Sequence, residues 1–125
     1  MKTEKELKDR CTPDIIKKMV ELAEGFEFDD KYDHVLLTNN DRASIDDMMD
    51  YTIMFSTLIH RAVEGWNKKC GFNNGVVLYP DHIELNIECG DKVFEFRYLN
   101  YQLENLTALE CACLHCLLEI FEEKV

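Results

Sequence analysis

The stretch that decides the fold runs from residue 82 to residue 98 and reads His82-Ile83-Glu84-Leu85-Asn86-Ile87-Glu88-Cys89-Gly90-Asp91-Lys92-Val93-Phe94-Glu95-Phe96-Arg97-Tyr98. Apolar and polar residues alternate on both sides of Gly90-Asp91, which predicts two strands, His82 to Cys89 and Lys92 to Tyr98, joined by a two-residue turn. In this register the apolar side chains share one face, in the pairs Ile87 with Phe94, Leu85 with Phe96 and Ile83 with Tyr98. Glu84 then lies beside Arg97 on the other face, which we expect to be polar and at least partly wet.

A third strand and a long helix precede this hairpin. Val76 to Tyr79, followed by the turn residues Pro80-Asp81, completes a three-stranded meander. Before it, Ser44 is placed to cap a helix from about Ile45 to Lys69, whose apolar residues form one stripe. Met54 falls among the polar residues of that helix, which makes it a candidate contact for self-association.

A closing helix follows the hairpin. Thr107 and Glu110 have the spacing of a capping box, with Leu106 and Cys111 placed as a hydrophobic staple, so the helix is predicted to begin near Leu106 or Thr107. The segment from Cys111 to Cys116 holds three cysteines and a histidine, the residue types that bind zinc.

Helical geometry separates these ligands. At ~100° per residue, Cys113 and Cys116 point to one side, whereas Cys111 and His115 point to another, with His115 away from the core. We therefore interpret Cys113 and Cys116 as small core residues. Cys111 with His115 remains an i, i+4 half-site, with too few ligands to hold a metal ion alone.

The amino-terminal third contains a further helix and two short strands. Thr12 is placed as its N-cap, Pro13 in its first turn and Gly25 at its end. The strands are predicted at Phe26 to Phe28 and at His34 to Leu37. Residues 1–11 are expected to be frayed or marginally helical.

The loop between those two strands carries three carboxylates, Asp29, Asp30 and Asp33, which suggest calcium. An EF-hand loop also needs a glycine at its sharp turn and a closing glutamate, and this loop has neither. The spacing favours an ordinary turn.

These elements predict a single α+β domain over residues 1–125, in which three helices pack with an antiparallel sheet as an α/β/α-like sandwich. Three segments carry a resemblance to a known family: Ala23 to Phe26, Ser44 to Asp47 and Leu106 to Leu114. In these segments the chain resembles the phage ABA sandwich domain, a family of small phage and prophage proteins. The resemblance implies a helix-sheet-helix sandwich and a phage or prophage setting, with no established activity or site residue.

The polar strand face predicts that the third layer of this sandwich is thin or partial.

Composition excludes several classes of function. The net charge of −11 opposes direct binding to nucleic acid and to anionic membranes, which both need clustered Lys or Arg. The chain lacks an apolar run of the ~20 residues that span a bilayer, and its charged amino terminus lacks a signal segment. We therefore expect a cytoplasmic protein whose six cysteines are free thiols, with no cofactor.

The candidates for an enzyme are few. They are Cys89 with His82, Cys70, and the carboxylates Glu84, Glu88 and Glu95. Cys89 and His82 are separated by about 23 Å along a strand, beyond hydrogen-bond reach. The sequence also lacks a phosphate-binding glycine loop, a nucleophile elbow and a His-Glu-x-x-His motif. We predict a protein that is not an enzyme and has no catalytic, cofactor-binding or metal-binding residue.

A protein-interaction or adaptor role fits these features better than catalysis does. We expect a protein partner, which the sequence does not identify, and self-association into a homo-oligomer remains an alternative. We expect the contact in the region of Tyr79, His82, Glu84 and Arg97, although solvated strand positions explain these residues equally well.

An alternative is an acidic mimic of nucleic acid that inhibits a host defence or repair enzyme. It predicts one continuous acidic face, formed by Asp41, Asp46, Asp47, Asp50, Glu84, Glu88 and Glu95. A second alternative is a small enzyme or metal-binding protein that uses the Cys and His residues.

Overall fold

The computed structural model describes residues 4–37, 41–70, 73–89, 92–99 and 106–122. The fold is α+β, as the sequence predicts. The helices are α1 (Glu4–Asp9), α2 (Pro13–Leu22), α3 (Ile45–Asp50), α4 (Thr52–Cys70) and α5 (Ala108–Glu122). The strands are β1 (Phe26–Asp29), β2 (His34–Leu37), β3 (Arg42–Ser44), β4 (Asn73–Leu78), β5 (His82–Cys89) and β6 (Lys92–Leu99).

The strands form two separate antiparallel sheets, with orders β1-β2-β3 and β4-β5-β6, where the sequence predicts one. The two helices α3 and α4 stand between the strand groups in the chain, and each group packs on its own helices. The first sheet contacts α2 and α3, whereas the second contacts α5. The short strand β3, which pairs with β2, is absent from the sequence prediction.

The predicted register of the central hairpin is confirmed. Ile83 pairs with Tyr98, Leu85 with Phe96 and Ile87 with Phe94, and Glu84 lies opposite Arg97. The turn residues Gly90 and Asp91 lie outside the described residues. Ile83, Leu85 and Tyr98 are buried against the helical layer, so one face of the sheet belongs to the core.

The helix starts are set by side chains that accept backbone hydrogen bonds. The hydroxyl of Thr12 accepts from Ile15 N, and that of Ser44 accepts from Asp47 N, as the sequence predicts. The capping box of α5 is also confirmed, because Glu110 N donates to Thr107 Oγ1 and Thr107 N donates to Glu110 Oε1.

The predicted long helix is broken at Tyr51, whose backbone is extended at φ −87° and ψ 91°. The buried face of α4 is wider than one narrow stripe, because Met54, Phe55, Leu58, Ile59 and Ala62 are all buried. Met54 is 4% exposed, whereas Ile53 is 70% exposed. The prediction that Met54 is a surface contact for self-association is therefore wrong.

Helices α2, α4 and α5 pack against each other and form the centre of the core. Gly65 of α4 lies against the backbone of α2, so that a Cβ at this position would overlap the carbonyl oxygen of Leu22. The closeness of the two helices therefore depends on the missing side chain.

The amino-terminal segment is more ordered than its sequence predicts from residue 4 onward. Leu7 is fully buried, and the buried carboxylate of Glu4 accepts a hydrogen bond from Leu106 N at 2.5 Å. Arg10 reaches the end of α5, where its guanidinium lies 2.6 Å from Glu122 Oε2. Packing on α5 thus holds a helix of six residues, which is too short to be stable on its own.

Candidate interaction face

The second sheet has one face turned away from α5, which we call the open face. The strand registers assign its members, which lie on the side opposite Ile83 and Leu85. The open face comprises Val77, Tyr79, His82, Glu84, Asn86, Glu88, Val93, Glu95 and Arg97. It contains all four residues of the region in which the sequence predicts a contact.

Three large side chains with apolar surface are exposed on the open face. Val93 is 59% exposed, Val77 is 45% exposed and Tyr79 is 43% exposed. Between the strands, Glu84, Asn86, Glu95, Phe96 and Arg97 line a shallow depression of about 300 Å³. The open face therefore combines a shallow depression with a polar lining and the exposed side chains of Val77, Tyr79 and Val93 around it.

His82 anchors one end of the open face. Its ring stacks on Tyr79, with centroids 4.3 Å apart and planes 6° apart. Its Nδ1 lies 2.8 Å from Asp81 Oδ1, and its Nε2 lies 3.2 Å from Glu84 Oε1. The hydrogen bond to His82 lowers the pKa of Asp81. Since both ring nitrogens contact carboxylates and the ring is buried, His82 serves to position its neighbours.

The open face is acidic. Glu84, Glu88 and Glu95 lie on it, and Arg97 stands opposite Glu84 in the register. Glu88 and Glu95 are exposed and Glu84 is partly exposed. Such a surface is suited to a partner that brings Lys or Arg together with apolar side chains.

The structure keeps the candidate catalytic residues of this sheet apart. His82 and Cys89 stand at opposite ends of β5, as the sequence predicts. The side chains of Cys89 and Cys70 lie outside the described residues. The carboxylates Glu84 and Glu88 share the open face without a nucleophile placed between them among the residues that the structure describes.

The cysteines of α5 belong to the core. Cys111 is 0% exposed, Cys113 is 9% exposed and Cys116 is 2% exposed, and none of the four described cysteines forms a disulfide. Burial raises the pKa of Cys111 to about 12 and that of Cys113 to about 11. The interpretation of Cys113 and Cys116 as core residues is confirmed.

His115 lies on the sheet side of α5, not on the outer side that the helical projection predicts. Its Nδ1 lies 2.6 Å from the hydroxyl of Tyr98, and its ring centre lies 4.4 Å from that of Phe96. Its Nε2 lies 3.5 Å from Glu119 Oε1. Within the described part of the chain, no group of three or more His, Cys, Asp and Glu residues could hold a metal ion.

Sequence analysis missed a polar cluster between α4 and α5. The buried carboxylate of Glu110 accepts a hydrogen bond from the hydroxyl of Ser56 and lies 3.3 Å from His60 Nε2. A Ser-His-acid triad places the histidine between the other two groups, whereas here the carboxylate contacts both. The cluster therefore joins two helices. Its only sequence signal is the i, i+4 spacing of Ser56 and His60.

The aspartates of the β1–β2 loop are held by basic side chains. Asp29 lies 2.6 Å from Arg42, which lowers the pKa of Asp29, and Asp30 lies 2.8 Å from Lys17. Asp33 adopts a left-handed turn conformation with φ 52°. These contacts agree with the predicted turn.

The acids of the nucleic-acid-mimic hypothesis lie on different elements. Asp46, Asp47 and Asp50 belong to α3, which packs on α4 and the first sheet. Glu84, Glu88 and Glu95 belong to the second sheet, which packs on α5.

No family model, curated protein or solved structure matches the chain. Among the described residues, no helix is both long enough and apolar enough to cross a membrane.

Proposed function

We propose that this protein is a non-catalytic protein-interaction module and that it binds a protein partner through the open face. One observation carries the proposal: the exposed side chains of Val77, Tyr79 and Val93 lie among carboxylates on a sheet whose other face is packed on α5. Rigid scaffolds that present accessible apolar groups within a polar surface are typical of protein-binding sites.

Charge complementarity defines the kind of partner. Glu84, Glu88 and Glu95 give the face a negative potential, which Arg97 offsets only in part. We therefore propose a partner surface that carries Lys or Arg beside aliphatic side chains. The resemblance to phage ABA sandwich proteins supports a partner in a phage-bearing bacterial cell.

Charge density favours this proposal over nucleic-acid mimicry. Duplex DNA carries one negative charge per about 1.7 Å of its axis. Glu84 and Glu88 are four residues apart in β5, which corresponds to about 13 Å, and Arg97 faces the first of them. The carboxylates of the open face are therefore too sparse to imitate a phosphate backbone.

The test is capture of partners from a bacterial host lysate with three matched chains. The first is the unaltered chain, and the second is the open-face variant Val77→Thr/Glu88→Lys. The third is Ile53→Thr/Asp50→Lys, which makes the same kinds of change at exposed positions of α3 and α4. All three chains are first compared by circular dichroism and urea unfolding.

We expect a partner that the unaltered chain and the α3–α4 variant retain, and that the open-face variant loses. Retention by the open-face variant would contradict the proposal. A partner that duplex DNA displaces and that only the α3–α4 variant loses would instead support mimicry by the acids of α3.

A further inference from the structure

Strand β6 lies at the edge of the second sheet. Among the described residues it pairs with β5 alone, over its full length from Lys92 to Leu99. An edge strand of this length presents unpaired backbone N–H and C=O groups, which commonly pair with another strand.

The hairpin register determines which backbone groups face outward. Cys89 pairs with Lys92, and two residues separate them in the sequence. In a hairpin of this register, alternate residues from Lys92 onward, including Phe94 and Phe96, form hydrogen-bonded pairs with β5. The backbone groups of Val93, Glu95 and Arg97 consequently point away from β5, toward the outer edge.

The side chains at this edge are complementary to themselves. If a second β6 lies antiparallel with Phe96 opposite Phe96, Glu95 of each chain lies opposite Arg97 of the other. Glu95 and Arg97 are also the residues whose backbone groups face outward, so side-chain and backbone pairing agree in one register. A parallel alignment in register would instead oppose Glu95 to Glu95.

The apolar side of the edge is also open. Phe94 and Phe96 lie on the face that packs against α5, yet both remain only partly buried. Their rings are parallel within 3°, with centroids 6.4 Å apart. In the antiparallel register the two Phe96 side chains would cover each other across the new strand pair.

We propose that a second copy of this chain pairs with the β6 edge, antiparallel and centred on Phe96, to form a homodimer. The two three-stranded sheets become one continuous sheet, and the open faces of both copies lie on the same side. The inference does not depend on the identity of the partner, but it would present that partner with two copies of the open face.

The test uses two charge-reversed variants, Glu95→Arg and Arg97→Glu, alone and mixed. Each variant alone opposes like charges twice, at both ends of the symmetric pair. In the mixture, the arginine introduced at position 95 of one chain lies opposite the glutamate introduced at position 97 of the other. The native Arg97 of the first chain then lies opposite the native Glu95 of the second, so attraction is restored at both ends. Light scattering and native mass spectrometry give the masses at concentrations up to about 1 mM and in about 0.15 M salt.

We expect the unaltered chain to reach twice its mass of 14.7 kDa. Each variant alone should dimerise more weakly by about thirtyfold, and the equimolar mixture should recover a heterodimer. Recovery in the mixture also shows that both variants fold. A monomeric unaltered chain, undiminished dimers of the single variants, or a mixture that forms no heterodimer would each overturn the proposal.

Discussion

Glutamate and histidine side chains occur both at the contact between α4 and α5 and on the open face of the second sheet, but their surroundings differ. Glu110 is 7% exposed and contacts Ser56, His60 and Thr107, so its carboxylate is enclosed by protein. Glu88 on the open face is exposed to solvent. The cysteines and the histidine of α5, which suggest a metal site in the sequence, therefore pack inside the protein. The accessible surface is formed by the strands of the second sheet.

The sharpest way to break the helical interior is to add one methyl group. Gly65→Ala would place a Cβ on the carbonyl oxygen of Leu22, and since backbone blocks it, α2 and α4 must move apart. Alanine has a higher helix propensity than glycine, but this stabilises the fold by only about 1 kcal/mol. We expect a net loss of about 3 kcal/mol in the free energy of unfolding, measured by urea titration of Trp66 fluorescence.

The matched control is Asn67→Ala, at an exposed position of the same helix. It should change the free energy of unfolding by less than about 0.5 kcal/mol. If Gly65→Ala is as stable as this control, the close approach of α2 and α4 does not constrain the fold.

A second prediction makes one chemical change in both regions. Glu110→Ala removes the acceptor for Ser56 and for Thr107 N and destroys the capping box, so we expect a loss of about 2 kcal/mol. Glu88→Ala on the open face should cost less than about 0.5 kcal/mol, because its carboxylate is exposed. Equal losses in urea unfolding would remove the distinction between the two regions.

The hairpin of the second sheet and the starts of three helices could be predicted from local sequence signals. The hairpin register followed from period-two alternation, and the caps at Thr12, Ser44 and Thr107 followed from side-chain chemistry within one turn of each helix. These features depend on neighbours in sequence.

The missed features depend on residues that are distant in sequence. The pairing of Ser56 with Glu110 spans two helices, and the need for glycine at position 65 arises from α2. The break at Tyr51 separates α3 from α4, and the buried face of α4 includes Met54, which the sequence places among polar residues. A helical projection cannot contain these effects because it assumes one straight helix with one neighbour.

The third prediction concerns the pH dependence that buried thiols impose on the interior. Burial raises the pKa of Cys11 to about 12 and that of Cys113 to about 11, from an ordinary value of 9.0. Above pH 9 the unfolded chain loses these protons while the folded chain keeps them, so stability is full below pH 9 and falls as the pH rises toward the folded pKa. Each thiol should contribute a slope of about 1 kcal/mol per pH unit near pH 10.

Urea unfolding between about pH 8 and pH 10.5 measures this slope, and Cys113→Ala should make it shallower by the contribution of one thiol. Glu88→Gln on the open face is the control, because it changes an exposed side chain and leaves every buried thiol in place. The comparison of slopes is insensitive to the cavity that alanine leaves, because a cavity lowers stability at every pH alike. If Cys113→Ala and Glu88→Gln both keep the original slope, the thiol of Cys113 is not shielded from solvent, and the interior differs less from the open face than its burial indicates.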